Sequence, residues 1–415
     1  MSKLRWLLSR IGRTLWVRVS FFALLGVLAA ALASLSGRFL PGWAPVDIGN
    51  DAIDSLLTVI ASSMLAVTTF SVGALISAYS GATSNATPRA TPLLTQNQVV
   101  QNSLATFVGS FAFSVVGLVA LKVSAYGAEG RAVLFLVTLV VIFLIVIALL
   151  RWISQLTSLG RVSNTVTLIE DATRQAMETR LSHPFLGGRK AGAPRHGLAV
   201  RADAVGYVQF IDIAALIEIC DQHEIEVDVA VLPGAFIYRD TVLATIRPAA
   251  PGLSDDDLSA IRALFTIDRN RTYDQDPRFG LVVLSEVALR ALSPAVNDPG
   301  TAIDIIGRQT RLLTFWVEAW DAACRDCSGH PRVSVPPLDH ADLFEDAFNG
   351  IARDAAGQVD VMLRLIKALR ALGETGPATA RQAARQQLAI ATERMAHEMG
   401  NADDRRRIQA ALAGG

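Results

Sequence analysis

Four apolar runs dominate this sequence, at 17–35, 55–78, 104–121 and 132–150. Each comes close to the ~20 residues that a helix needs to cross a bilayer. Inside lipid the backbone polar groups must be satisfied within the segment, so such runs can only be helices. With 51% hydrophobic and 18% charged residues, the chain is more apolar than a soluble protein. The stretch 54–121 holds two of the runs. The first carries Thr58, Ser62, Ser63, Thr68, Thr69 and Ser71, and a loop rich in Ser, Thr, Asn, Pro and Gln follows at 80–102. The first run has no small-residue cleavage signal after it and reads as a retained span.

Charge sets the orientation. Lys3, Arg5, Arg10, Arg13 and Arg18 precede the first span and Arg38 follows it, which places the N-terminus in the cytosol. Residues 1–18 interleave these charges with Trp6, Leu7, Ile11 and Trp16, as a basic amphipathic lead-in on the membrane surface does. Four crossings through 17–150 return the chain to the cytosol, in agreement with Arg151, Arg161, Arg174 and Arg180. The 79–103 loop then shares the cytosolic side, and Pro88, Arg89 and Pro92 make it a coupling loop expected to dock on the cytosolic domain.

Past the spans, Ile153, Leu156, Leu159, Val162, Val166 and Ile169 keep helical spacing, so 151–181 is an amphipathic helix leaving the bilayer. Gly and Pro make 182–197 a linker. The pattern over 198–250 predicts a small α/β unit in the order β-α-β-β-β, with Asp212 capping its helix and Pro233-Gly234 turning the chain. Residues 254–330 read as a helical core. Ser254 with Asp257 opens one helix, and Asp276-Pro277 and Asp298-Pro299 each place Asp at N-cap and Pro at N1. Residues 341–371 and 377–398 read as a helical hairpin, and a short polar helix completes 341–415. The predicted class is a membrane α-helical region of four transmembrane helices plus a cytosolic α+β domain.

Three stretches carry a resemblance: Thr87-Pro-Arg-Ala-Thr-Pro-Leu-Leu94, Gln275-Asp-Pro-Arg-Phe-Gly280 and Ala291-Leu-Ser-Pro-Ala-Val-Asn-Asp-Pro-Gly-Thr-Ala302. In these the chain resembles the bacterial predicted membrane proteins of domain of unknown function 2254. The resemblance implies a multi-pass protein of the bacterial inner membrane with a cytosolic domain, and transfers no catalytic residue. Gly300 departs from the pattern, which often has an aromatic residue there.

Candidate sites are few. Arg269 and Arg271 with Asp276 could meet a small anionic ligand near a helix start. Asn297, Asp298 and Thr301 could offer oxygens to a ligand, although capping alone explains all three residue types. Cys324 and Cys327, with His330 and His340 after them, have only the first half of a zinc spacing. Lys+Arg equals Asp+Glu at 38 each, so no basic field exists to attract nucleic acid. All three cysteines lie in the part assigned to the cytosol, which argues against a disulfide framework. No phosphate-binding loop, dinucleotide fingerprint, nucleophile elbow or zinc-protease motif occurs, so no cofactor is called and the balance is against an enzyme. The spans lack charges at mid-depth, which argues against a proton-coupled pump. Two functions fit. One is a non-enzymatic sensor, scaffold or regulator whose cytosolic domain binds a partner protein or small ligand. The other is a homo-oligomeric channel or transport component with spans two and three lining the path.

Overall fold

A computed structural model describes residues 6, 14–35, 50–123, 127–157, 159–193, 196–247, 254–398 and 400–413. The chain forms two compact units, 7–165 and a second made of 1–6 with 166–415.

The first unit is helical: α1 Leu15–Leu35, α2 Asn50–Asn85, α3 Thr91–Thr95, α4 Gln98–Lys122 and α5 Ala128–Leu156. Three of these hold stretches long and apolar enough to cross a membrane: Asp51–Ser84, Gln98–Lys122 and Glu129–Leu156. The apolar stretch of α1, Trp16–Leu32, is shorter, so the expected four spans are matched by three on length. Helix α4 is the central one. Its Gly109 meets α1 at Gly26, where an added Cβ would lie 2.5 Å from the Gly109 carbonyl oxygen, so only glycine permits the approach. Ile53 and Leu57 of α2 pack with Phe113 and Leu121 of α4 and with Leu134 of α5. Outward, α1 shows Phe21, Leu24, Leu28 and Leu32, and α5 shows Leu136, Val140, Phe143 and Leu150. Such large exposed apolar surface suits lipid rather than water.

The 86–97 segment is folded onto its own helix ends. Thr87 accepts from the Arg89 amide, Tyr79 Oη donates to the Leu94 carbonyl, and Asn97 caps α4 through the Val99 and Val100 amides. Pro88, Arg89 and Pro92 stay exposed. The expected continuous helix out of the last span is two helices. Helix α5 ends at Leu156 and α6, Val162–Ser182, starts after Gly160 turns at φ +79°.

The second unit is built on β1 Gly188–Lys190, β2 Leu198–Arg201, β3 Gly206–Ile211, α7 Ile213–Gln222, β4 Glu226–Val229, β5 Phe236–Ile237, β6 Val242–Arg247, α8 Asp255–Ala263, β7 Phe265–Asp268, α9 Pro277–Leu292, α10 Pro299–Arg325, β8 His330–Val335, α11 His340–Asp354, α12 Val359–Leu372, α13 Ala378–Glu398 and α14 Ala402–Ala413. Every strand expected in 206–246 is present, but they do not form one β-α-β-β-β unit. One sheet runs β1-β8-β4-β6-β2 and the other β5-β3-β7. Strands β1 and β4 lie parallel to β8 on its two sides, so 330–335 is an interior strand of its sheet. The supposed linker 182–197 thus contains β1, and the supposedly helical 254–330 contributes β7 and the first of β8. Residues 341–371 form two helices, because the chain turns between Ala355 and Gln358. Leu216, Cys220, Val227, Leu243, Ile246 and Val333 fill the core over the sheets. Lead-in residues 1–5 and 7–13 lie outside the described residues. Trp6 is not on a surface: it is 2% exposed, stacks on Phe210 with centroids 5.1 Å apart, and donates Nε1 to Asp274 at 2.8 Å.

Candidate functional site

The segment 275–280 is the hub of the second unit. Gln275 completes the backbone of β3: its Oε1 accepts from the Ile211 amide at 3.0 Å and its Nε2 donates to the Ile211 carbonyl at 3.4 Å. Asp276 caps α9 by accepting from the Phe279 amide, and Pro277 follows at N1, where its missing N–H costs nothing. Arg278 pairs with Asp346 and Asp342 on α11. Gly280 receives α6 so closely that a Cβ would sit 1.8 Å from Thr173 Oγ1.

Asp276 is 2% exposed and takes a two-pronged ion pair from Arg271, at 2.8 Å and 3.0 Å. Burial pushes its carboxyl up and Arg271 opposes the shift. Gly234, at φ +94°, lies over this carboxylate, and a Cβ there would come within 2.3 Å of it. A second cation, Arg180 of α6, is 2% exposed, and none of its guanidinium nitrogens has a hydrogen-bond partner among the described residues. Burial drives its pKa down to about 10, against the field of Asp276. Arg180 had been counted among the cytosolic flanking charges; here it is an interior residue.

The six ligand-binding candidates do not converge. Arg271 and Asp276 neutralise one another. Arg269 is exposed just past β7, its amide on Asp268. Asn297, Asp298 and Thr301 lie at the opposite end of α9, on an exposed turn. Asn297 has φ +49°, and Asp298 caps α10 through the Thr301 amide at 3.0 Å and hydroxyl at 2.6 Å. These hydrogen bonds hold the Asp298 carboxyl below its ordinary range. Cys324 and Cys327 are free thiols packed partly against the sheet core. His330 turns to Asp221 at 3.3 Å instead. Among the described residues no group of three or more His, Cys, Asp or Glu side chains is arranged to hold a metal ion.

The second unit also has a cleft of about 870 Å³, a size suited to a small molecule. Phe185, Trp320, Leu338 and Pro377 supply apolar walls, and Lys190, Asp321, Arg325 and Asp339 supply charge. His340 at its edge is 4% exposed. Its Nδ1 is 3.0 Å from Thr379 Oγ1, its ring stands edge-on to Trp320, and its Nε2 is buried with no hydrogen-bond partner among the described residues. Burial lowers the His340 pKa, the dominant effect over the nearby Asp339 and Asp321 charges.

Three long apolar helices and a sheet-containing C-terminal unit define a predicted membrane protein. The chain belongs to the predicted membrane protein family DUF2254, whose model matches residues 12–371. It is 27% identical over 228 residues to the uncharacterized protein Rv1290c of Mycobacterium tuberculosis (strain ATCC 25618 / H37Rv), which covers 53% of this chain and 43% of that protein. The uncharacterized protein Mb1321c of Mycobacterium bovis matches at the same identity and coverage. The matched region thus spans less than half of these relatives' length. No solved structure matches the chain.

Proposed function

We propose that this protein is a non-enzymatic regulator of the bacterial inner membrane, with four spans, both termini in the cytosol, and a C-terminal unit that binds a small ligand. The observation that carries the ligand reading is the cleft beside His340, whose imidazole keeps one nitrogen buried with no partner among the described residues. Such a nitrogen costs free energy until something pairs with it.

Trp6 supports the fourth span. It packs inside the unit formed by 166–415, which supports a reading in which residue 6 and that unit share one side of the membrane. The chain between them crosses an even number of times. Three helices meet the length requirement and α1, apolar on its outer face, supplies the fourth crossing. The basic residues before α1 favour the cytosol as the shared side. Thiol labelling of Arg89→Cys and Val123→Cys in cells tests the topology. Arg89→Cys should react only from the cytosol and Val123→Cys only from outside; the reverse pattern, or both on one side, sinks it. A thermal-shift screen of the full-length protein in nanodiscs against a metabolite library tests ligand binding. A library in which no compound moves the melting temperature removes the regulator reading.

A second reading, the oligomeric channel or transport component, is favoured by α2. Ser55, Thr58, Ser62, Ala66, Thr69, Gly73, Ser77 and Ser80 recur every three or four residues along its exposed side. Ser62 and Thr69 bond their own helix carbonyls, which makes hydroxyls tolerable in an apolar medium. A Cβ at Gly73 would meet nothing among the described residues, so no contact with them requires glycine there. In an oligomer this row would line a path or a helix interface. Mass measurement and planar-bilayer recording test it: a non-conducting monomer counts against it.

A further inference from the structure

We propose that the turn 293–298, between α9 and α10, is a contact point for the bilayer surface, with its apolar tip Pro294-Ala295-Val296 seated in the lipid interface. Ligand binding at the cleft plays no part in this; the membrane span of α5 does. The register of three helices and the make-up of the turn lead to it.

Helix α6 starts at Val162, six positions after α5 ends at Leu156, and α5 is long and apolar enough to cross a membrane. Helices α6 and α10 run side by side in the same direction. Arg308 donates to Thr167 and Glu170, Arg311 donates to Glu170, and the Arg174 guanidinium lies 4.1 Å over the Phe315 ring. The partners in these pairs are 138 to 141 positions apart, which puts Val162 level with residues 300–303. The turn 293–298 therefore projects past the start of α6, on the side from which the chain arrives from its last span. Helix α9 gives the same answer. It runs against α10, with Gln309 donating to the Leu281 carbonyl, and meets α6 at Gly280 and Thr173. Its last residue, Leu292, is twelve positions beyond Gly280, and twelve positions back from Thr173 is Arg161. Trp6 marks the opposite end of α9, at Asp274, about 24 Å away for sixteen residues at ~1.5 Å each. The nine steps from Trp6 to Leu15 allow up to about 30 Å, so both ends can be held at once.

Residues 294–300 are all exposed, Val296 at 51%. Turns that face water draw heavily on Asn, Asp and Ser, whose side chains bond water and their own backbone. Pro294-Ala295-Val296 instead presents three successive side chains without a polar atom. The turn is already ordered. The Val296 and Asn297 amides donate to the Ser293 carbonyl at 3.0 Å and 2.9 Å, and the Asp298 amide donates to the Ala291 carbonyl at 2.8 Å. Covering the tip therefore costs little further backbone entropy. The exposed Arg290 and Asp298 balance in charge, so the contact is apolar and needs no anionic lipid. Three small residues bind a bilayer weakly by themselves, but the span holds them at the surface at high effective concentration.

The experiment uses the full-length protein in phosphatidylcholine nanodiscs. Cys324→Ser and Cys327→Ser remove the half-buried thiols, and Cys220 stays because it is buried. A bimane label is placed on Val296→Cys, and on Glu374→Cys as the control. Glu374 is exposed and lies two residues before Gly376, which packs on Val317, eighteen positions along α10 from Pro299 and so about 27 Å from the turn. Lipid carrying a nitroxide near its headgroup should quench the Val296→Cys label, whose emission should also be shifted to the blue, and should leave the Glu374→Cys label unchanged. Adding phosphatidylglycerol should alter neither result. Ala295→Cys serves as a second tip position if Val296→Cys folds poorly. The inference is overturned if the tip label is quenched no more than the control, or if quenching appears only with phosphatidylglycerol. A blue shift without quenching also overturns it, since protein rather than lipid would then cover the tip. Failure here leaves the ligand reading standing, and an empty ligand screen leaves the lipid contact standing.

Discussion

Gly280 of α9 and Thr173 of α6 touch so closely that no side chain fits between them; a Cβ on Gly280 would lie 1.8 Å from Thr173 Oγ1 and 2.7 Å from Thr173 Cβ. The hydroxyl is itself turned back on its own helix, donating to the Ile169 carbonyl at 2.6 Å. Gly280→Ala should therefore destabilise the protein by about 1–3 kcal/mol through overpacking. Thr173→Ala should rescue it only in part, because the Thr173 Cβ remains in the way. Thermal denaturation of the two single variants and the double variant checks this.

Trp6 is far from its neighbours in sequence and close to them in space. Trp6→Ala removes the stack on Phe210 and the hydrogen bond to Asp274. A loss of about 3 kcal/mol is expected for deleting a buried indole. Limited proteolysis of the C-terminal unit should speed up accordingly. Unchanged proteolysis would mean that Trp6 contributes nothing to that unit.

Asp276 faces the buried Arg180 and the half-buried Arg271. Asp276→Asn leaves Arg271 and Arg180 without their carboxylate and should cost about 3–5 kcal/mol. Arg180→Met should cost much less, since Arg180 makes no hydrogen bond among the described residues. Its pKa falls to about 10 in the folded state. Above that value the folded protein sheds this proton before the unfolded chain does, so the Arg180 term makes stability rise with pH. The stability gap between wild type and Arg180→Met should move in favour of the wild type between pH 9 and 11 (about one unit either side of 10).

His340 titrates in the same sense, at the acid end. Its folded pKa lies below the ordinary value because burial disfavours the imidazolium. The unfolded chain takes up the proton first as pH falls, so stability is lost below the ordinary histidine pKa until the folded pKa is passed. Wild type should lose more stability than His340→Gln between about pH 7 and pH 5. Parallel denaturant titrations of the two proteins measure this.

Gly73 separates assembly from folding. A Cβ there meets nothing among the described residues, so Gly73→Leu should leave the unfolding free energy of the monomer within about 0.5 kcal/mol of wild type. If copies pack along this face of α2, the same change should dissociate them in native mass measurement. An unchanged oligomer places the interface elsewhere.

Several of these residues could be read in the sequence and several could not. The caps at Asp212, Ser254, Asp276 and Asp298 occur where residue type and spacing put them. Strand β8 was hidden because Pro331 lies within it and Pro336 directly follows it, and both resemble loop punctuation. Strand β7 was hidden behind the capping box of α8, whose helix stops at Ala263. Arg180 was legible in principle: Val166, Ile169, Thr173 and Met177 are buried at helical spacing, and Arg180 continues that row. Counting it as a flanking charge overlooked its place on the stripe.

Taken alone, the sequence determined the apolar helices, the capped helix starts and the membrane character of the chain. These depend on hydropathy and hydrogen bonds among residues a few positions apart. Tertiary structure decided which strands pair, with Gly188 beside His330 and Val227 beside Val333. It also decided that Asp276 gathers two arginines and that Lys190, Trp320 and His340 line one cleft. Those outcomes depend on burial and on contacts between residues up to about 150 positions apart, which no local pattern encodes.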